Sequence, residues 1–322
     1  MQRVTSRSGR SGLDRRTFLR AVAFTALAVP TTTGLVACTS GYEDTPDPLR
    51  PLWLQAEDHA KAARRLAAES TERHDLANAV ATLRSAQAKA LRAEVERLNR
   101  PVPEESAPAT AVRDDDLFAS LAQGRDDALA LLPDLPRHRA GLVGAVAAGC
   151  AAALELGPAS QAEEPDVDVT SVRRLEDDTA QALQTALGAE HAAVWVYGLV
   201  RAFLDADYDG GISRGERAHL ERRDRAERLL TAAGRPPRPA EPAYVVGDSV
   251  TDPTSAARAV ATAENDAATA WHGVLERTDD TTVRTFAVQC LLGAATRGVH
   301  WRDAAGLDPR LQPLPGRETT AH

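Results

Sequence analysis

Two glutamates stand where a helix would bury them. In the stretch 175–204, Leu183, Leu187, Val194 and Tyr197 share one face at about 100° per residue, and Glu190 lies in the middle of it. In 252–277, Val260, Ala267, Trp271 and Val274 form the stripe, with Glu264 beside Val260. A buried carboxylate needs a metal, a cation or a proton. Opposed carboxylates at mid-height are what di-iron and di-manganese bundles use, together with Glu-x-x-His on two further helices. Residues 216–219 spell that motif, ending in His219, but near the start of a helix expected at 213. Asp224 and Glu227 match the depth of Glu190 better and bring no histidine. Near the C-terminus Arg297-Gly298-Val299-His300 puts an arginine where the glutamate belongs. The candidate ligands of iron or manganese are therefore Glu190, Glu264, Asp224 and Glu227. A buried Glu–Arg network closed by Arg297 leads over that metal site.

A second cluster suits a harder cation. Residues 205–216 have the spacing of a calcium loop, with Asp205, Asp207, Asp209 and Glu216 at positions 1, 3, 5 and 12, and the Gly211 carbonyl at position 7. Gly210 would supply the sharp turn. Tyr208, Gly211 and Arg217 depart from the usual pattern, and no second loop pairs with it. The competing reading is a polar turn in which Ser213 and Glu216 form a capping box. If Glu216 binds calcium, it is lost to any site that uses His219.

These residues need helices to position them, and the chain supplies eight helical patterns: 53–69, 72–98, 114–132 and 137–156, then 175–204, 213–233, 252–277 and 279–303. Between the sixth and seventh lie 18 residues that include Pro236, Pro237, Pro239 and Pro242. Extended at about 3.1 Å per residue, that connector outreaches a helix of about 32 Å. Two hairpins joined by one long crossover make the ferritin-like topology. The expected fold is all-α: a ferritin-like four-helix bundle over 171–308, preceded by a second helical domain over 49–156. A linker at 157–170 and a tail at 309–322 complete this division.

The segment 182–198, ALQTALGAEHAAVWVYG, resembles the opening helix of a ferritin-like domain of unknown function found in exported actinobacterial proteins. His219 with Arg222-Arg223-Asp224, the 244–253 loop, and the alanine-rich helix holding Glu264 and Trp271 are similar too. The resemblance covers about 175–308. It implies a ferritin-like fold and an envelope location and carries no activity with it.

The N-terminus reads as an address. Arg15-Arg16-Thr17-Phe18-Leu19 resembles a twin-arginine export signature, in which Arg15, Arg16, Phe18 and Leu19 carry the signal. A short apolar stretch follows, and then Leu35-Val36-Ala37-Cys38, similar to a lipoprotein cleavage box with Cys38 as the lipidated residue. This gives a signal peptide over 1–37, a tether over 38–48, passage through the twin-arginine machinery, and anchoring at the extracytoplasmic face of the cell membrane. Cys150 and Cys290 then remain as two buried free thiols.

Of 322 residues, 43% are hydrophobic, 26% charged and 4% aromatic. Six arginines against one aspartate put a net +5 in the first 37 residues and leave −13 for the rest. A body that acidic argues against nucleic acid. No apolar run reaches the roughly 18 residues of a membrane span. Phosphate loops, nucleophile elbows and Cys-x-x-Cys pairs do not occur, and the histidines are too scattered for a four-histidine site. The reading is a lipid-anchored, non-enzymatic binding module with an envelope partner, steadied by calcium; the alternative is a ferritin-like metalloprotein that binds or oxidises iron or manganese.

Overall fold

The computed structural model describes residues 46–97, 116–157, 167–247 and 249–317; the export signal and Cys38 lie outside the described residues. Among those residues the fold is all-α, with eight helices: α1 (Arg50–Glu69), α2 (His74–Arg97), α3 (Leu117–Leu131), α4 (Arg137–Leu154), α5 (Asp177–Val200), α6 (Asp209–Ala232), α7 (Pro253–Leu275) and α8 (Thr281–Ala304). Their starts follow local chemistry. Asp116 accepts from the Ala119 amide at the head of α3, and Asp280 accepts from that of Val283 at the head of α8. Asp252 and Ser255 form a reciprocal capping box before Pro253 opens α7. Gly234, at φ +73°, ends α6 in the left-handed region that glycine adopts without strain.

Two contacts fix the direction of α7 against α5. Trp271 reaches Glu190, and seven residues earlier on α7, Glu264 meets Tyr197, seven residues later on α5. The helices are therefore antiparallel. The crossover from α6 to α7 must travel the length of α5, and contacts mark its path. Gln184 bonds the Pro236 carbonyl and the Arg238 amide, and the Tyr244 ring lies 6.2 Å from that of Trp195.

α4 is alanine- and glycine-rich and buried on nearly every side, so it packs as a core helix rather than a surface one. It lies against α3, α7 and α8. At Gly144 even a methyl group would meet Leu275 Cδ1 at 2.5 Å. The two halves expected to be separate domains thus share one continuous apolar cluster, from Leu52 and Leu91 through Val143 to Leu187, Trp271 and Phe286.

The expected tether and tail also change at their ends. Asp47 is buried, accepts two bonds from Arg139 at 2.8 and 2.9 Å, and caps Leu49. Leu311 is buried, and the Pro313 carbonyl accepts from Gln87 of α2. The described ends of both segments, at Asp47 and Leu311, belong to the packed body. Cys150 and Cys290 are buried and form no disulfide. Among the described residues no helix is long and apolar enough to cross a membrane.

Candidate functional site

A second, smaller apolar cluster gathers Tyr197, Val200, Ile212, Val260 and Trp301. Between it and the main core lies a polar layer to which each helix of the C-terminal half contributes one charged side chain: Glu190 from α5, His219 from α6, Glu264 from α7 and Arg297 from α8. Glu190 and His219 are fully buried and Glu264 is 1% exposed, so every polar atom must find its partner inside.

The partners are present. Oε1 of Glu190 accepts from Trp271 Nε1 at 2.6 Å, and Oε2 accepts from His219 Nδ1 at 2.6 Å. His219 Nε2 points to Oε1 of Glu264 at 3.2 Å. That oxygen also accepts from the Tyr197 hydroxyl at 2.5 Å and Arg297 Nε at 2.7 Å, while Oε2 accepts from Arg297 Nη2 at 3.0 Å. Tyr197 in turn accepts from Trp301 Nε1 at 3.0 Å.

With a carboxylate at each ring nitrogen, His219 donates twice and is an imidazolium. Burial alone would depress its pKa, but Glu264 and Glu190 outweigh that and hold it above the ordinary histidine value. Burial would raise both carboxyls; His219 keeps Glu190 below the usual range, and Arg297 with His219 does so for Glu264. Burial and the Glu264 carboxylate push Tyr197 well above the normal phenol. Two anions thus face two cations, and the buried Arg222 of α6 adds its charge to the field at Glu190.

Residues 182–319 match the family described as Domain of unknown function (DUF4439). This segment of the chain is a DUF4439 domain. The DUF4439 segment holds all four charged members of the layer. Among solved structures, a conserved hypothetical protein, rv2844, from Mycobacterium tuberculosis is 31% identical to this chain. The likeness covers 41% of this chain and 93% of that one, with a TM-score of 0.39. No curated protein matches the chain.

Within the DUF4439 segment the structure brings Glu190 and Glu264 together, as their shared height led us to expect. It adds His219, which an α6 start at 213 had placed too shallow. α6 instead begins at Asp209, so His219 lies deeper in the bundle. Asp224 and Glu227 stay out. They are rotated about 140° and 80° from His219 on a helix of about 3.6 residues per turn. Asp224 pairs with Arg223, and Glu227 lies at the rim, 3.7 Å from His191 Nε2. The four histidines of this half are likewise dispersed: His272 is buried against α4 beside Gly141, and His300 reaches Glu155 at the surface.

This donor set does not fit a pair of metal ions. The fourth helix supplies a cation, Arg297, which occupies both oxygens of Glu264. Among the described residues no group of three or more His, Cys, Asp or Glu is arranged to hold a metal ion.

The calcium loop is also not formed. Residues 206–208 are a short 3-10 turn and 209–216 are already helix, so Asp209, Gly211 and Glu216 follow the helix instead of wrapping a cation. Glu216 pairs with Arg201, and Ser213 is inside the helix rather than capping it. The cause is packing: Tyr208 stacks on Trp301 at 5.9 Å, and Ile212 is buried one turn later. These contacts outweigh the low helix propensity of Gly210 and Gly211.

Proposed function

We propose that this chain is an exported, lipid-anchored binding protein of the cell envelope, built on a ferritin-like arrangement whose polar centre is structural rather than redox-active. The observation that carries this reading is Arg297 engaging both oxygens of Glu264. The helix that would supply a metal-binding glutamate brings its own positive charge instead, and the layer needs no metal to be satisfied. The long crossover along α5 and the antiparallel α5–α7 pair support the ferritin-like arrangement. Export and anchoring rest on Arg15, Arg16, Phe18, Leu19 and Cys38.

Elemental analysis of the full chain, made in its own host and extracted without chelators, tests the central claim. The expected result is no iron, manganese or zinc near stoichiometry. Stoichiometric iron or manganese that disappears in Glu190→Gln would establish the metalloprotein instead. Palmitate labelling that is lost in Cys38→Ala tests the anchor, and retention inside the cell of Arg15→Lys/Arg16→Lys tests the route.

A further inference from the structure

Helices α6 and α8 do not pack closely backbone to backbone; they meet through large side chains. Arg222 lies over Gly293, and Tyr208 stacks on Trp301. Between these bridges and the facing edge of α3 and α4, a groove of about 800 Å³ runs along α8 from Thr281 to Ala304. Sites for small organic ligands fall in the range of about 300–1,000 Å³, with largely apolar walls and a few placed polar groups. One stretch of this groove is apolar, lined by Leu129, Leu132, Val288 and Leu292.

Toward the Trp301 end the lining becomes charged, with Arg297 and Arg214 alongside Asp207 and Glu155, the latter bonded to His300. Nε and Nη2 of Arg297 are spent on Glu264, while Nη1 makes no hydrogen bond among the described residues, although the side chain is only 18% exposed. Arg214 lines the same groove from α6 and forms no ion pair among the described residues. A guanidinium held rigidly by a buried carboxylate, with a nitrogen left over, is a preorganised donor for an anionic oxygen.

We infer that this groove binds a single-chain amphiphile with a long alkyl tail and a carboxylate head, a free fatty acid. The tail lies over Val288, Leu292 and Leu129, and the head accepts from Nη1 of Arg297, with Arg214 completing its charge balance. Asp207 and Glu155 at the rim disfavour a more highly charged head such as a phosphomonoester. The inference deepens the binding-protein reading and rests on it.

The test is photo-crosslinking of the full chain in phosphatidylcholine nanodiscs, using palmitate with a diazirine near the end of its chain. Trypsin releases residues 285–297 as one peptide, which holds the floor of the groove. Label is expected on that peptide, displaced by palmitate and not by methyl palmitate. Leu292→Trp, which fills the groove, and Arg214→Glu, at an exposed position, should each weaken labelling about tenfold, or about 1.4 kcal/mol. Label spread over the surface, equal competition by the methyl ester, or labelling unchanged in both variants would overturn the inference. Such a failure with a metal-free protein leaves the binding-protein reading standing, whereas stoichiometric metal removes that reading on its own evidence.

Discussion

Arg297 on α8 clamps Glu264 on α7 through two nearly parallel bonds of 2.7 and 3.0 Å. The pair joins two helices at the border of the core: Glu264 is sealed from water, and Arg297 reaches only the groove beside α8. Removing one partner leaves the other buried and uncompensated, which costs about 3–5 kcal/mol. Arg297→Met should therefore lower the urea midpoint sharply without changing the slope. Glu264→Gln/Arg297→Met should lose less than the two single changes added together, because the charges disappear as a pair. Strict additivity would show that the pair does not act as a unit.

The polar layer also sets a pH profile. His219 has a raised pKa in the fold, so its contribution is complete below the unfolded value of about 6.5 and is lost as pH rises through the folded value. Stability should decline as pH rises above about 6.5, and His219→Gln should flatten that limb. His59 acts in the opposite sense. Burial, then Arg84, lowers its pKa to about 4, so its contribution is present above about 6.5 and is lost as pH falls toward 4. Urea denaturation from pH 4 to 9 reads both limbs, and a histidine resonance of His59 titrating near 6.5 would refute the second.

Gly215 is an exception to a helix rule. In an exposed helix, glycine to alanine gains about 0.5–1 kcal/mol. Here a Cβ would crowd the Tyr197 ring edge, beside the hydroxyl that serves Glu264 and Trp301. Gly215→Ala should instead destabilise by about 2 kcal/mol or more, since overpacking and a broken buried hydrogen bond combine. A melting temperature equal to or above that of the wild type would refute this.

Calcium should leave the melting temperature unchanged in the wild type and in Asp205→Ala alike, because 209–216 are committed to α6. A rise seen only in the wild type would mean that the segment abandons the helix to close around the ion.

Much of this architecture is written locally. The recurrence of apolar side chains at helical spacing marks eight helices, because that period depends on neighbouring residues alone. The same pattern puts Glu190 and Glu264 on buried faces, and the proline-rich stretch after Gly234 is long enough to carry the chain back along the bundle. What lies between helices follows a different logic. The start of α6 was set by Tyr208 against Trp301 and Ile212 in its pocket, contacts about 90 residues apart in sequence for the first pair. That shift brought His219 into the centre and dissolved the calcium loop. Helix phase then left Asp224 and Glu227 at the surface, and the burial of Asp47 and Leu311 came from partners on α4 and in the main core. A residue's face is a property of its own helix, but its partner is chosen by where three other helices stop.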